Sequence, residues 1–310
     1  MSYIFQRLYH GFIVLFAAAS ISFILMFIIG DPVLMRIGDD ATQATIDRVR
    51  QQMGLDRPLI FQYFDFMWGV VQGDFGLSYR HQEPVLGLLI SRLGNSIILA
   101  IPALILAICV SIPVGVISAM HRNRPIDLIA RTFALVGQAA PNFWVGIMLI
   151  LLFAIQLRWL PASGMGGETL GEKLKYMIMP VFTLSLLTMA YLTRMMRGAV
   201  LELMGQDFVR TARAKGLSPR RVMYRHVVRN AMLPYVTISG LQLGSLISGS
   251  MVVESVFSWP GFGRFLLDSI RLMDIPVVAG ALTLVAVMYV VLAFVVDVIY
   301  TLLDPRLRRS

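Results

Sequence analysis

Six long apolar segments alternate with polar segments along the chain. The centre of each contains no Asp, Glu, Lys, Arg or His, and the nearest such residues stand at its ends. A helix needs about 20 apolar residues to cross a hydrocarbon core of ~30 Å, so the pattern predicts an all-α polytopic membrane protein with six transmembrane helices. The predicted spans are residues 10–30, 94–119, 133–157, 177–193, 232–254 and 276–297, of which the fourth is the shortest.

The composition agrees with this class of protein and excludes several kinds of site. Of the 310 residues, 57% are hydrophobic and 15% are charged, whereas about a quarter of a soluble domain is charged. The single cysteine, Cys109, leaves no disulfide and no CxxC metal or redox motif. The four histidines are scattered without metal-ligand spacing. We therefore expect no metal site and no catalytic residue in this chain.

Charge is distributed unequally between the two sides of the predicted bundle. With six spans, both termini lie on one side, and that side carries 16 Lys and Arg against four acids. The other side carries 11 basic and 12 acidic residues. Because basic loops stay in the cytoplasm, both termini are predicted to be cytoplasmic. Residues 31–93 then form an extracytoplasmic region and residues 194–231 a cytoplasmic loop, all within one transmembrane domain, 1–310.

Prolines lie inside the second, third and fourth predicted spans. Pro102, Pro113, Pro141 and Pro180 each remove a backbone hydrogen bond and favour a kink. A kinked bundle suits a moving pathway, but kinks occur in membrane proteins of every kind. The prolines therefore predict bends without identifying a function.

One cytoplasmic stretch contains much of the positive charge. Residues 210–230, RTARAKGLSPRRVMYRHVVRN, contain seven Arg or Lys, one His and no acid. The pattern over 203–231 predicts two short helices with a break at Gly216, which can end the first helix in a left-handed conformation. Ser218 as N-cap and Pro219 at the first helical position then begin the second helix.

Each of these two helices has an apolar face and a basic face. The predicted apolar face of the first contains Leu203, Phe208, Val209 and Ala212. Along the second helix, one side is lined by arginines at four-residue spacing: Arg221, Arg225 and Arg229. Attraction to anionic lipid explains part of the charge, but lipid requires no break at Gly216. No nucleic-acid-binding fold accompanies it, so a docking element for a partner protein explains this helix pair better.

The same stretch resembles the cytoplasmic loop of bacterial ABC importer permeases, whose motif is E-A-A-x-x-x-G-x9-I-x-L-P. Gly216 aligns with the motif glycine and Ala212 with its second alanine. Arg210 and Thr211 replace the glutamate and the first alanine, and HVVR begins at His226 where I-x-L-P is expected. This form is similar to the dipeptide/oligopeptide branch of these permeases.

Further strings resemble that branch in order and spacing across essentially the whole chain. They are GDP at 30–32, QMGLDRPL at 52–59, QGDFGLSY at 72–79, RWLPASG at 158–164, VVESVFSWPGFGR at 252–264 and VVDVIYTLLDPRLR at 295–308. The resemblance implies an ABC importer type I permease fold in a bacterial inner membrane. It also implies coupling to an ATPase through Phe208, Arg210, Thr211, Ala212, Arg213, Ala214, Lys215, Gly216, Leu217 and Ser218.

The resemblance also implies several partners for this chain. They are two cytoplasmic ATPase subunits, a second homologous permease subunit, an extracytoplasmic solute-binding protein and membrane lipids. The chain has three lysines, and none follows the glycine pattern of a P-loop. We therefore expect no cofactor on this chain, with ATP and Mg bound by the partner ATPase subunits.

Polar residues within the spans are candidates for a translocation pathway. The candidates are Asn95, Ser96, Ser239, Gln242, Ser245, Ser248 and Glu254. Small and hydroxylated residues also favour close helix packing, so the serines have two interpretations that the sequence leaves open. Glu254 could recognise a substrate amine, form an ion pair with Arg264 or occupy an interfacial position, because an acid near the membrane is usually paired or hydrated. Just beyond the fifth span, Trp259, Pro260 and Gly261 are candidates for the side that meets the binding protein.

The sequence thus predicts the membrane subunit of an ATP-driven, binding-protein-dependent importer for small peptides or a similar solute. The alternative is an ATP-independent secondary transporter or channel, which predicts acids in mid-span and inverted repeats. No clear repeat is present, and the two acids within or at the ends of spans, Glu254 and Asp297, lie near span ends. The sequence does not distinguish dipeptides, longer peptides, glutathione, nickel chelates and opines as the solute.

Overall fold

The structure is a computed structural model that describes residues 2–28, 33–34, 42–52, 54–167 and 169–303. The elements before the second predicted span are α1 (Ser2–Ile28), α2 (Gln43–Gln52) and α3 (Leu59–Gln72). The middle of the chain contains α4 (Val85–Met120), α5 (Pro125–Ala139) and α6 (Asn142–Leu149), which continues into a π-helical segment, Ile150–Gln156.

The remaining helices lie in the second half of the chain. They are α7 (Leu170–Met204), α8 (Asp207–Ala214), α9 (Pro219–Val222) with the π-helical segment Met223–Val228, α10 (Arg229–Val256), α11 (Phe262–Arg271) and α12 (Ile275–Leu303). Within the described residues, five helices are long and apolar enough to cross a membrane, or six if one bent pair counts as a span. The all-helical polytopic class is confirmed.

The bent pair occupies the third predicted span. α5 and α6, with its π-helical continuation, meet at an angle of 99°. Pro141 precedes α6 in an extended conformation, with φ −63° and ψ 132°. Because proline has no N–H and clashes with the preceding turn, the kink predicted at Pro141 is present and sharp. By contrast, α4 continues as a helix through Pro102 and Pro113, and α7 through Pro180.

Two helices extend well beyond the apolar segments that predicted them. α4 begins at Val85 and α7 ends at Met204, whereas the predicted spans began at 94 and ended at 193. The 35 residues of α7 correspond to about 50 Å of helix, more than the ~30 Å hydrocarbon core. Charged residues such as Arg92 and Arg194 bound the apolar segments but do not end the helices, so a search for uncharged segments underestimates helix length.

The chain divides into two compact units. The first contains residues 1–96 and 260–291, and the second contains residues 97–259 and 292–310. In the first unit α3 packs on α1, where the Tyr63 hydroxyl lies 2.8 Å from that of Ser20 and the Phe23 ring lies 5.3 Å from that of Tyr63. The other face of α3 exposes Phe61, Phe64 and Trp68.

The core of the second unit brings α4, α7 and α10 together with the short helices between α7 and α10. Buried side chains of α7 form its centre: Met189, Leu192, Met196 and Val200. Tyr235 of α10 joins them, and its hydroxyl lies 2.6 Å from that of Ser111. Where α4 crosses α7, a Cβ on Gly115 would lie 2.8 Å from Cβ of Met196. Only glycine allows this approach, as in other closely packed membrane helices.

Candidate coupling site

α8 is an amphipathic helix with its apolar side inside the core of the second unit. Val209 and Ala212 are buried in the cluster formed by α7, and Phe208 packs against it at partial burial. The basic residues Arg210, Arg213 and Lys215 are exposed. Asp207 lies in the first turn, where a carboxylate interacts favourably with the helix dipole, and it pairs with Arg210 at 3.3 Å. The predicted separation of apolar and basic faces is therefore present.

Gly216 ends α8 as the sequence predicted. Its φ is +80°, its N–H donates to the Arg213 carbonyl at 2.9 Å, and the N–H of Leu217 donates to the Ala212 carbonyl at 3.3 Å. These two bonds form a Schellman motif, which satisfies carbonyls that the end of a helix leaves open. A Cβ at this position would meet nothing within 4 Å, so only the backbone conformation requires glycine.

The restart of the helix differs from the prediction in one respect. Pro219 occupies the first turn of α9 and Ser218 the N-cap position, but the Ser218 side chain forms no capping hydrogen bond. The residues of this turn, 218–221, are exposed, so water can satisfy their free N–H groups. The backbone carbonyl of Ser218 accepts from the N–H of Val222 at 3.0 Å, which closes the first turn without the side chain.

Two further details of the predicted helix pair are corrected. Leu203 lies in α7 and not in the first short helix, because the chain breaks at Gly205 and Gln206 before α8 begins. It still packs against the same core cluster. The second helix contains the π-helical segment Met223–Val228. Its wider turn alters the four-residue arginine stripe, although Arg221, Arg225 and Arg229 are all exposed.

The structure thus divides the ten predicted coupling residues by exposure. Ala212 is buried, Phe208 and Leu217 are partly buried, and the remaining seven are exposed: Arg210, Thr211, Arg213, Ala214, Lys215, Gly216 and Ser218. A partner subunit could therefore contact the basic side of α8 and the turn that follows it. The buried side fixes that surface relative to α7.

A buried carboxylate that the sequence analysis did not single out stabilises the same unit. Asp127 is fully buried and accepts from Arg197 Nε at 2.7 Å and Nη2 at 3.0 Å. It also accepts from the Ser118 hydroxyl at 2.6 Å and the Asn123 N–H at 3.0 Å, and Arg131 lies 3.6 Å away. The carboxylate thereby joins the end of α4, the turn after it, α5 and α7. In the sequence, the one sign of this role is that Asp127 is the only acid in the loop 120–132.

The candidate pathway residues of α10 fall into two groups. Ser239 and Ser250 are buried, the Ser239 hydroxyl donates to the Tyr235 carbonyl at 2.8 Å, and the Ser250 hydroxyl lies 2.8 Å from the Ile247 carbonyl and 2.6 Å from the Glu254 carboxylate. Gln242 and Ser248 are partly buried, and Ser245 is exposed. The buried serines match the packing interpretation, whereas Gln242, Ser245 and Ser248 retain surface that a solute could contact.

Glu254 is fully buried near the end of α10. Its carboxylate accepts from the Ser250 hydroxyl at 2.6 Å, and its backbone carbonyl accepts from the N–H of Trp259 at 2.8 Å. Trp259 is fully buried as well, so its side chain gives the chain no surface of its own for a binding protein. If a binding protein contacts this loop, residues next to Trp259 would make the contact.

In the first unit, the start of the second predicted span holds a loop in place. Nδ2 of Asn95 donates to the Pro260 carbonyl at 2.9 Å, and the Ser96 hydroxyl accepts from the N–H of Phe262 at 2.8 Å. Pro260 is partly buried and Gly261 is buried. Asn95 and Ser96, predicted for the pathway, therefore position the loop predicted for the binding protein. Among the described residues, no three His, Cys, Asp or Glu are grouped as metal ligands.

Comparison with known proteins assigns the chain to a family. Residues 111–309 match the family described as binding-protein-dependent transport system inner membrane component, and residues 1–100 match the N-terminal part of such components. The chain therefore belongs to this family of multi-pass inner-membrane permeases, which are non-catalytic membrane components. The resemblance stated from the sequence is confirmed.

Individual relatives are similar over the full length. The chain is 37% identical over 309 residues to the glutathione transport system permease protein GsiC of Escherichia coli (strain K12). It is 38% identical over 314 residues to the oligopeptide transport system permease protein AppB of Bacillus subtilis (strain 168). Each alignment covers 99% of this chain and 99% of the relative.

A solved structure supports the fold. A chain of the MetNI methionine ABC transporter, in an inward-facing conformation, superposes with a TM-score of 0.57 at 16% identity. The match covers 72% of this chain and 99% of that one. The ABC permease fold is therefore shown. Membership of a binding-protein-dependent ABC system also implies ATPase and binding-protein partners.

Proposed function

We propose that this chain is one of two homologous membrane subunits of an ATP-driven importer for small peptides or a peptide-like solute such as glutathione. The two relatives belong to a glutathione transport system and an oligopeptide transport system, which supports that range of solutes. A solute-binding protein delivers the solute outside the membrane. Two cytoplasmic ATPase subunits, which bind ATP and Mg, supply the energy.

One observation carries the coupling part of this proposal. α8 exposes Arg210, Arg213 and Lys215 while its Val209 and Ala212 belong to the core cluster of α7. A subunit that binds the basic side of α8 therefore acts on a surface that is packed against a membrane helix. Such binding shifts the permease between conformations only if its contacts differ between them.

Reconstitution of the whole complex tests the function. Proteoliposomes with both permease subunits, the ATPase subunits and the binding protein are expected to accumulate labelled glutathione or tripeptide only when ATP is supplied on the cytoplasmic side. Uptake by this chain alone, driven by an ion gradient, would contradict the proposal and support a secondary transporter.

Cross-linking tests the coupling site. In a chain with Cys109→Ala, Arg213→Cys is expected to form a cross-link with an ATPase subunit, whereas Glu83→Cys on the opposite predicted side is not. Both positions are exposed in the structure. Equal cross-linking of the two variants, or none at Arg213→Cys, would count against this docking surface.

A further inference from the structure

The first unit contains a cavity of about 520 Å³ with an excess of positive charge. Its lining comes from the segment before the second predicted span and from α11 with its flanking loops. The charged and titratable residues that line it are Arg80, His81, Arg92, Arg264, Asp268, Arg271 and Asp274. Four arginines thus face two aspartates. The predicted topology puts this cavity on the extracytoplasmic side.

Both aspartates of this lining already have hydrogen-bond or ion-pair partners. Asp274 is buried, and its carboxylate accepts from the Ser78 hydroxyl and from the N–H groups of Tyr79 and Arg80 at 3.0 and 3.3 Å. Asp268 lies 3.7 Å from Arg264. Neither carboxylate neutralises the other arginines of the lining.

Arg92 is a partly buried cation of this lining with unused hydrogen-bonding capacity. Its guanidinium carbon lies 5.4 Å from the centre of the Phe265 ring, a cation–π arrangement. Within the part of the chain that the structure describes, the side chains of Arg92 and Arg271 form no ion pair and donate no hydrogen bond. A guanidinium has five N–H donors that match a carboxylate in a fork. A half-buried guanidinium without such a partner is suited to bind an anion.

The position of Arg92 connects the cavity with the predicted pathway. Asn95 and Ser96 follow it by three and four residues on α4, so all three lie on one face of that helix. Asn95 holds Pro260, which itself lines the cavity. The size of the cavity suits a small molecule or the end of a peptide, not a flat docking surface.

We propose that this cavity binds the free carboxylate of the imported solute, with Arg92 as the main contact and Phe265 beside the last side chain. This inference rests on the proposed function, because small peptides and glutathione carry such a carboxylate. It adds a chemical requirement on the solute that this chain itself imposes. A solute with its carboxylate blocked should bind the permease poorly.

Saturation-transfer NMR on the whole importer without its binding protein tests this requirement. The complex in phosphatidylcholine nanodiscs is titrated with trialanine, trialaninamide and inorganic phosphate. Trialanine is expected to bind at least tenfold more tightly than trialaninamide or phosphate, because the fork to Arg92 is a charge-assisted hydrogen bond. Equal binding of trialanine and its amide, or of trialanine and phosphate, would overturn the proposal.

Substitutions at Arg92 test whether this residue makes the main contact with the carboxylate of trialanine. Arg92→Gln is expected to weaken trialanine binding about tenfold, and Arg92→Lys less, because lysine keeps the charge but loses the fork. Arg57→Gln is the matched control, since Arg57 is an exposed extracytoplasmic arginine outside this cavity. Co-purification with the partner subunits verifies that each variant folds. Unchanged trialanine binding in Arg92→Gln would refute the assignment.

The same variants and nanodiscs also test two other possible occupants of the cavity, the binding protein and a lipid. If Arg92→Gln lowered the affinity for the binding protein but not for trialanine, the cavity would be a protein-docking site and the proposal would be wrong. If adding phosphatidylglycerol to the nanodiscs displaced trialanine, the cavity would be a lipid site. ATP-dependent uptake of trialanine by the wild-type system tests the importer function independently, so a failure of this inference alone can be recognised.

Discussion

Asp127 and Arg197 form a bidentate ion pair between residues 70 positions apart in the sequence. The carboxylate is fully buried and the Arg197 side chain is 20% exposed. A buried pair of this kind contributes little when compared with an apolar pair, but the loss of one partner leaves an uncompensated charge. Its effect at this position is to fix the turn between α4 and α5 against α7.

We expect Asp127→Ala to destabilise the permease by about 3 kcal/mol, because it leaves the partly buried Arg197 without its partner. The midpoint of thermal unfolding in detergent should fall accordingly. The double variant Asp127→Ala/Arg197→Met should recover part of the loss, since the two positions are coupled. Asp207→Asn, which breaks an exposed pair with Arg210, is the control and should change the midpoint little. Additive effects of the single changes at Asp127 and Arg197 would contradict this role.

Prediction from sequence worked for residues whose effect is local. Gly216 and Pro141 act on their own turns, so the left-handed cap and the kink could be inferred without knowing any neighbour. The Asp127–Arg197 pair and the different burial of Ser239 and Ser245 depend on which helices pack together. Nothing in a single sequence specifies those contacts, and the π-helical segments likewise have no signature that the residues reveal.

The element that joins the coupling surface to its core is α8 with its glycine cap. A left-handed residue other than glycine costs about 1–2 kcal/mol, and the space around Gly216 is open. Replacement should therefore alter the path of the chain after α8 without disturbing the packing of Val209 and Ala212.

Gly216→Val is expected to reduce ATP-dependent uptake several-fold, because a β-branched residue disfavours the φ of +80°. Gly216→Asn should retain most uptake, since asparagine tolerates that conformation. Gly205→Ala is a matched control on the other side of α8: its φ is −84°, which alanine adopts freely. The measurement is binding-protein-dependent uptake and ATP hydrolysis by the reconstituted complex. Full activity of Gly216→Val would show that the cap is dispensable.

The crossing of α4 and α7 provides a test of helix packing. A side chain at Gly115 would also lie 2.9 Å from the Thr193 carbonyl, so Gly115→Ala must push the helices apart. We expect this variant to lower the midpoint of thermal unfolding. Gly198→Ala on α7, where nothing lies within 4 Å of the new Cβ, should leave it unchanged or raise it through higher helix propensity. A smaller effect at position 115 than at 198 would contradict the observed crossing.

At the scale of the whole molecule, the asymmetry of charge predicts the direction of insertion. The count of 16 basic residues against four acids on one side predicts that α8 is cytoplasmic and that the arginine-lined cavity is extracytoplasmic. The proposed coupling site and the proposed carboxylate site both require this orientation.

Cysteine labelling of intact cells tests the orientation. In a Cys109→Ala background, a membrane-impermeant maleimide should label Glu83→Cys in intact cells and Ser218→Cys only after the membrane is opened. Both residues are exposed in the structure, so access to reagent and not burial decides the result. Labelling of Ser218→Cys in intact cells would reverse the topology and remove the basis of both sites.

The uninterrupted course of α7 has a mechanical consequence. Its 35 residues form one helix that continues through Pro180, and side chains at its C-terminal end share one core with α8. Under the proposed coupling, a partner that displaced α8 would therefore act directly on α7, and no loop within α7 would absorb the displacement. An ATPase taken from another importer would therefore have to displace α8 in the same direction as well as bind its basic surface.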